Sequence, residues 1–145
     1  MRIGAMIFCL LFSSISFAND LTADLSVMQK LIAVPQWGLV QSGTTCIEKY
    51  QFLDSGVVLI ESQQQQLRGD YYFIPSLAES FLPAILINFT QDNQQPDCMG
   101  TIQNQVGTST LNFLKKESDQ VIYFCEDKLG KNCSVYLRPE NKMKR

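Results

Sequence analysis

The chain predicts a mainly β domain, a small antiparallel barrel or sandwich led by one short helix. Three observations carry that expectation. The first is Cys46-Ile47-Glu48-Lys49-Tyr50-Gln51-Phe52-Leu53, where Cys46, Glu48, Tyr50 and Phe52 fall on one face and Lys49 and Gln51 on the other. That is the period-two pattern of a strand with one buried side. Asp54-Ser55-Gly56 then supplies a polar residue and a φ-permissive glycine for a tight reversal into Val57–Ser62. The second is a series of short apolar runs from Trp37 onward, with turn signals about every ten residues. The third is an even set of cysteines outside the leader, suited to stapling a small β structure.

Taken in order, the chain opens on an export signal. Arg2 is the charged start, Ile3 to Phe17 is apolar or small, and Ser16-Phe17-Ala18 gives the small-x-small cleavage pattern. A membrane anchor is the alternative, but the run is shorter than the roughly 20 residues a spanning helix needs. Cys9 lacks the preceding small residues of a lipid-attachment site. Residues 1–18 are therefore read as a signal peptide, with no membrane span after cleavage, and 19–145 as one domain. A short helix is expected over about 20–34, because Leu21, Leu25, Met28 and Ile32 recur at helical spacing and Pro35 ends it.

The expected strands are Trp37–Gln41, the Cys46–Leu53 and Val57–Ser62 hairpin, Asp70–Ile74, Ala84–Thr90, Thr101–Gln105, Thr110–Lys116, Gln120–Glu126 and Ser134–Arg138. Ser42-Gly43-Thr44 and Asp92–Asp97 are turns or loops, Gln63–Gln66 is a solvated hairpin tip, and Ser76–Leu82 could form one helical turn. A flexible basic tail is expected over about 140–145, ending in Lys142-Met143-Lys144-Arg145.

Charge and composition exclude several function classes. The formal net charge is −2, and the leader's Arg2 makes the remainder one unit more acidic. Nucleic-acid binding would need clustered positive charge, so no nucleic-acid partner is expected. The chain has no histidine and no Cys-x-x-Cys pair, which argues against a zinc site; no metal and no cofactor are expected. A serine or cysteine nucleophile would lack its usual base. Cys46, Cys98, Cys125 and Cys133 allow three disulfide connectivities. Cys125 ends one expected strand and Cys133 begins the next, so a hairpin holds them together and leaves Cys46 for Cys98.

A Trp opening the first strand after a short helix, then Cys46-x-Glu48-x-Tyr50-x-Phe52, Asp97-Cys98-x-Gly100 and Phe124-Cys125…Cys133, resembles small exported lipocalin-like β-barrel proteins of proteobacteria. That group has no assigned function. The resemblance runs from Trp37 to Arg138 and implies a barrel in a bacterial periplasm or cell exterior. It also implies a structural pair, with Arg138 from the last strand set against Trp37. Pro35 stands where true lipocalins carry a glycine.

Glu48 is the candidate ligand anchor, placed inward with Tyr50 and Phe52, where an unpaired carboxylate is costly. It is expected to be paired with Arg138, Arg68 or a tyrosine hydroxyl, or else free to hold a ligand. Paired carboxylates among Glu48, Asp54, Glu61 and Asp70 would be needed for glycoside hydrolysis. Asp92, Asn93 and Asp97 offer oxygens for a calcium ion, but without the spacing of an EF-hand, so a plain turn is expected there. The expected function is a non-enzymatic binding module, for a small apolar ligand in the barrel or an envelope protein on its rim. An inhibitor of an extracytoplasmic enzyme is the alternative, and a carboxylate-based hydrolase a third reading.

Overall fold

The hairpin that organises the sequence also organises the structure, a computed structural model that describes residues 18–140, with side chains from Thr22 onward. Strand β2 (Glu48–Phe52) turns through Leu53–Gly56 into β3 (Val57–Ser62). Leu53 N–H reaches Val57 O at 2.8 Å and Gly56 N–H reaches Leu53 O at 3.1 Å. Gly56 sits at φ +82°, a conformation that a side chain would strain. Around this hairpin lie β1 (Trp37–Gln41), β4 (Gln65–Ile74), β5 (Ala84–Asp92), β6 (Ser109–Ser118), β7 (Val121–Cys125) and β8 (Val135–Pro139). Each pairs antiparallel with the next, and β1 pairs with β8 to close an eight-stranded barrel.

An eight-stranded barrel has an interior about wide enough for side chains to fill. Here Trp37, Val58, Ile85, Ile87, Leu114, Ile122 and Leu137 fill it, each fully or almost fully buried. The aromatic residues interlock: Tyr50 stacks on Phe52 at 6.1 Å and meets Phe124 edge-on at 6.0 Å, while Phe52 meets Tyr71 edge-on at 5.4 Å. Gly69 lets two strands close up, because a Cβ there would lie 2.8 Å from Asn88 O.

Helix α1 (Ala18–Ala33) lies over the end of the barrel where β1 begins, with Val27 and Leu31 in the core. It starts slightly earlier than expected and is rotated. Asp24, Val27 and Leu31 face inward, whereas Leu25 is exposed and Met28 and Ile32 are half-buried. The buried stripe is thus one residue, about 100°, away from the Leu21–Leu25–Met28–Ile32 stripe of the sequence. Two polar contacts set that rotation. The Trp37 indole Nε1–H donates to Leu31 O at 3.0 Å, satisfying a carbonyl in the last turn of the helix. Asp24 Oδ2 accepts from both Ser76 N–H and Ser76 Oγ–H, each at 2.7 Å.

Several expectations are corrected. Thr101–Gln105 is not a strand: it pairs with no neighbour, and Ile102 faces solvent. Gln65 and Gln66 belong to β4, so the hairpin tip is Gln63-Gln64 alone. The helical turn expected over Ser76–Leu82 reduces to one bond, Phe81 N–H to Ala78 O. Its neighbours bond elsewhere, Ser76 N–H to Asp24 and Leu82 N–H to Lys128 O.

Arg138 does not meet Trp37. In the β1–β8 register Trp37 is opposite Pro139, and Arg138 is opposite Gly38. The period of two therefore puts Arg138 on the outer wall, where its Nε lies 3.4 Å from Glu140 Oε1. The leader through Phe17 and the end of the basic tail, residues 141–145, lie outside the described residues.

Candidate functional site

The end of the barrel away from α1 carries the β1–β2 loop, the β3–β4 turn and the long β5–β6 loop, residues 93–108. The Cys46–Cys98 bridge ties the first of these to the third, with Cα atoms 5.6 Å apart. Cys125 and Cys133, with Cα atoms 4.1 Å apart, close the β7–β8 loop. Both pairings match the sequence expectation. Cys125 faces the outer wall opposite Phe113, and the loop it closes folds along that wall until Lys128 Nζ sits 4.0 Å from the centre of the Phe81 ring.

Short polar side chains pin the β5–β6 loop at its root. Asp92 Oδ1 accepts from Gln94 N–H at 2.7 Å, and its Oδ2 accepts from Gln105 N–H at 2.8 Å and from Gln65 Nε2–H at 3.1 Å. One carboxylate thus holds the outgoing chain, the returning chain and a buried residue of β4. Asn93 Oδ1 accepts from Gln66 N–H at 2.9 Å, and its Nδ2–H donates to Gln64 O at 3.0 Å. Pro96 O accepts from both Gln64 and Gln65 N–H, each at 3.1 Å. Asp97 Oδ1 then caps Met99 and Thr101 N–H at 2.9 and 2.8 Å, an Asx-type turn closed by Gly100 at φ +76°. Both Asp92 oxygens and Asp97 Oδ1 are on N–H donors, so the two residues form turns, and among the described residues no group of carboxylates is placed there to hold a cation.

On this braced loop the apolar side chains point outward. Met99 is 70% exposed, Ile102 66% and Val106 48%. Gly107 N–H to Phe89 O and Phe89 N–H to Thr108 O, both 3.0 Å, rejoin the return of the loop to the sheet. The result is a segment without regular structure, residues 101–105, held at both ends, with Ile102 facing solvent while Asn104 and Gln105 accept from Val106 N–H and Thr108 Oγ1–H.

Beneath the strap lie the sequence candidates. Glu48, Tyr50 and Phe52 share the inner face of β2 as expected. Glu48 is half-buried, and neutral hydroxyls compensate it rather than a cation. Ser62 Oγ–H donates to its Oε1 at 2.9 Å and Tyr50 O–H to its Oε2 at 3.3 Å. Arg68 and Arg138, the cations considered for it, both stand on the outer wall. Ser62 Oγ also accepts from Cys98 N–H at 3.0 Å, so a chain of hydrogen bonds runs from the strapped loop down to Glu48. Burial raises the Tyr50 hydroxyl pKa well above the usual tyrosine value, and the adjacent Glu48 carboxylate adds to the shift.

Among the described residues Glu48 gains no second carboxylate. Glu61 and Asp70 are on the outer wall, and Asp54 is in the turn at the helix end. Glu61 is instead 3.8 Å from Lys49. Among the described residues no group of three or more Cys, Asp or Glu side chains is placed to hold a metal ion, and no helix is long and apolar enough to cross a membrane.

Sequence reasoning missed three contributors: the clamp Asp92, the buried linker Ser62, and the exposed trio Met99, Ile102 and Val106. The trio left one legible signal, isolated apolar residues within a run of Gly, Asn, Gln and Thr. No family model, curated protein or solved structure matches the chain, so its functional reading rests on the geometry of this mouth.

Proposed function

We propose that this protein is an exported, non-enzymatic protein-binding module that engages an envelope or extracellular protein through the strapped loop 93–108. The observation that carries the reading is the outward set of Met99, Ile102 and Val106 on a loop already ordered by a disulfide and two aspartate clamps. Apolar side chains on a mobile loop would lose entropy on binding, and here much of that cost has been met in folding. The alternative of a small apolar ligand within the barrel has less support. Tyr50, Phe52 and Phe124 pack against one another in the space such a ligand would take. Two disulfides fit an oxidising compartment, as expected for a protein of the periplasm or cell exterior. The lipocalin-like group suggested by the sequence fits the same reading.

The experiment is native mass spectrometry of protein isolated from its own envelope extract, comparing the wild type with M99D/I102D/V106D. Loss of a co-purifying protein in the variant, at unchanged melting temperature, is expected. Full retention of that protein would refute the role of the loop. Inhibition of an extracytoplasmic enzyme is a second reading, favoured by the segment 101–105, which is anchored at both ends and presents Ile102 to solvent. It requires that the captured protein be an enzyme whose activity falls on titration with the wild type and not with the variant.

A further inference from the structure

A separate cleft opens on the outer wall of the barrel, where the β4–β5 ladder breaks. Arg68 pairs with Gln91 and the next residue, Gly69, with Phe89, so Thr90 is the extra residue of a β-bulge. Bulges interrupt pairing and re-aim side chains. Here the break leaves a cleft of about 460 Å³ lined by Leu59, Leu67, Arg68, Gln66 and Gln91, among others. That volume falls within the roughly 300–1,000 Å³ of small-ligand sites.

The polar groups of the cleft divide into engaged and free. Glu61 faces Lys49 at 3.8 Å. Asp92 accepts three N–H donors, and the Asn93 side chain bonds at both its oxygen and its nitrogen. Among the described residues the Arg68 guanidinium has no ion pair, and the side-chain amides of Gln66 and Gln91 have no hydrogen bond; only their backbones are used. Leu59, Arg68 and Gln91 occupy one cross-strand row on the outer face, so an apolar side chain, a cation and a carboxamide stand side by side.

We infer that this cleft binds the carboxyl terminus of a peptide chain that ends in an apolar residue. The guanidinium takes the terminal carboxylate, which matches its fork of donors. The carboxamides of Gln66 and Gln91 both donate and accept, as a peptide group does. Leu59, beside Arg68 on the outer face, lines the place for the last side chain. A fatty acid would use the guanidinium and Leu59 but would leave both carboxamides without partners.

The test uses N-acetyl-Ala-Leu as the probe, titrated into the full protein and followed by heteronuclear NMR. Saturable shifts are expected at the Arg68 Nε–H, the Gln66 and Gln91 side-chain amides and the Leu59 methyls. R68Q should weaken binding by about tenfold to a hundredfold, the scale of hydrogen bonds to a charged group. Capping the probe as its amide should cost the wild type the same factor and R68Q almost nothing. Equal affinity for acid and amide would overturn the proposal, as would shifts confined to loop 93–108 or the absence of saturation. Hexanoate binding as tightly as the peptide would overturn the assignment to a peptide end. The acid-against-amide comparison stands on the wild type alone, so a poorly folded variant leaves the outcome readable. M99D/I102D/V106D should bind the probe normally, which separates this cleft from the loop.

Discussion

The Cys46–Cys98 bridge should contribute more to stability than the Cys125–Cys133 bridge, and the structure supplies the margin. The first closes a sequence separation of 52 residues and the second one of 8. In the chain-entropy account these correspond to about 4 and about 2.5 kcal/mol. The difference depends only on the logarithm of the ratio of loop lengths and comes to about 1.7 kcal/mol. Cys125 is fully buried whereas Cys46 and Cys98 are half-buried, so comparing alanine variants directly would mix packing with cross-linking. The clean perturbation is to keep one bridge at a time, as C125A/C133A and C46A/C98A, and measure urea unfolding of each with and without reductant. Within each variant the sequence is constant and only the cross-link changes. Reduction should cost the variant that retains Cys46–Cys98 about 4 kcal/mol, a large share of the 5–15 kcal/mol of an ordinary domain. Its m-value should rise as the unfolded chain expands. If reduction costs that variant no more than it costs the other, loop closure is not what the strap contributes.

Other consequences are local. Arg138→Ala should leave stability within about 0.5 kcal/mol and the Trp37 emission maximum unchanged, because Arg138 is on the outer wall. Trp37→Phe should cost about 2 kcal/mol by leaving Leu31 O unsatisfied and a gap in the core, and equal effects in the two variants would contradict the register. Asp24→Ala should cost about 1–3 kcal/mol and speed hydrogen exchange over residues 22–33, since two Ser76 donors lose their acceptor. Unchanged exchange would rule out the latch. The raised pKa of Tyr50 has a definite sign. Its contribution is fully present below the unfolded tyrosine value of about 10 and is lost as pH rises through the folded value. Stability in urea should therefore fall above about pH 10, with a shallower slope in Tyr50→Phe. Tyr71 should preserve part of the slope, because burial and then Asp54 raise it too. An identical slope in wild type and variant would refute the assignment.

Local chemistry fixed much of the fold in advance. The alternation of β2, the Asp54-Ser55-Gly56 turn and the stop at Pro35 depend on neighbours within a few residues, and each is found where those neighbours put it. The disulfide partners were legible for the same reason, since a hairpin dictates Cys125–Cys133 and elimination does the rest. Contacts between distant segments were not legible. Which face of α1 turns inward was decided by Trp37 and Ser76, six residues beyond Leu31 and 52 beyond Asp24. Whether Thr101–Gln105 pairs as a strand depended on a neighbour that the closed barrel does not offer. The partner of Glu48 turned on register: a period of two sends Arg68 and Arg138 outward and leaves the hydroxyls of Ser62 and Tyr50 beside the carboxylate. The sequence determined most of the strands, the β2–β3 turn and the two staples. Only closure of the barrel decided which side chains share an interior, because facing across a barrel depends on strand register and stagger, quantities that no single segment contains.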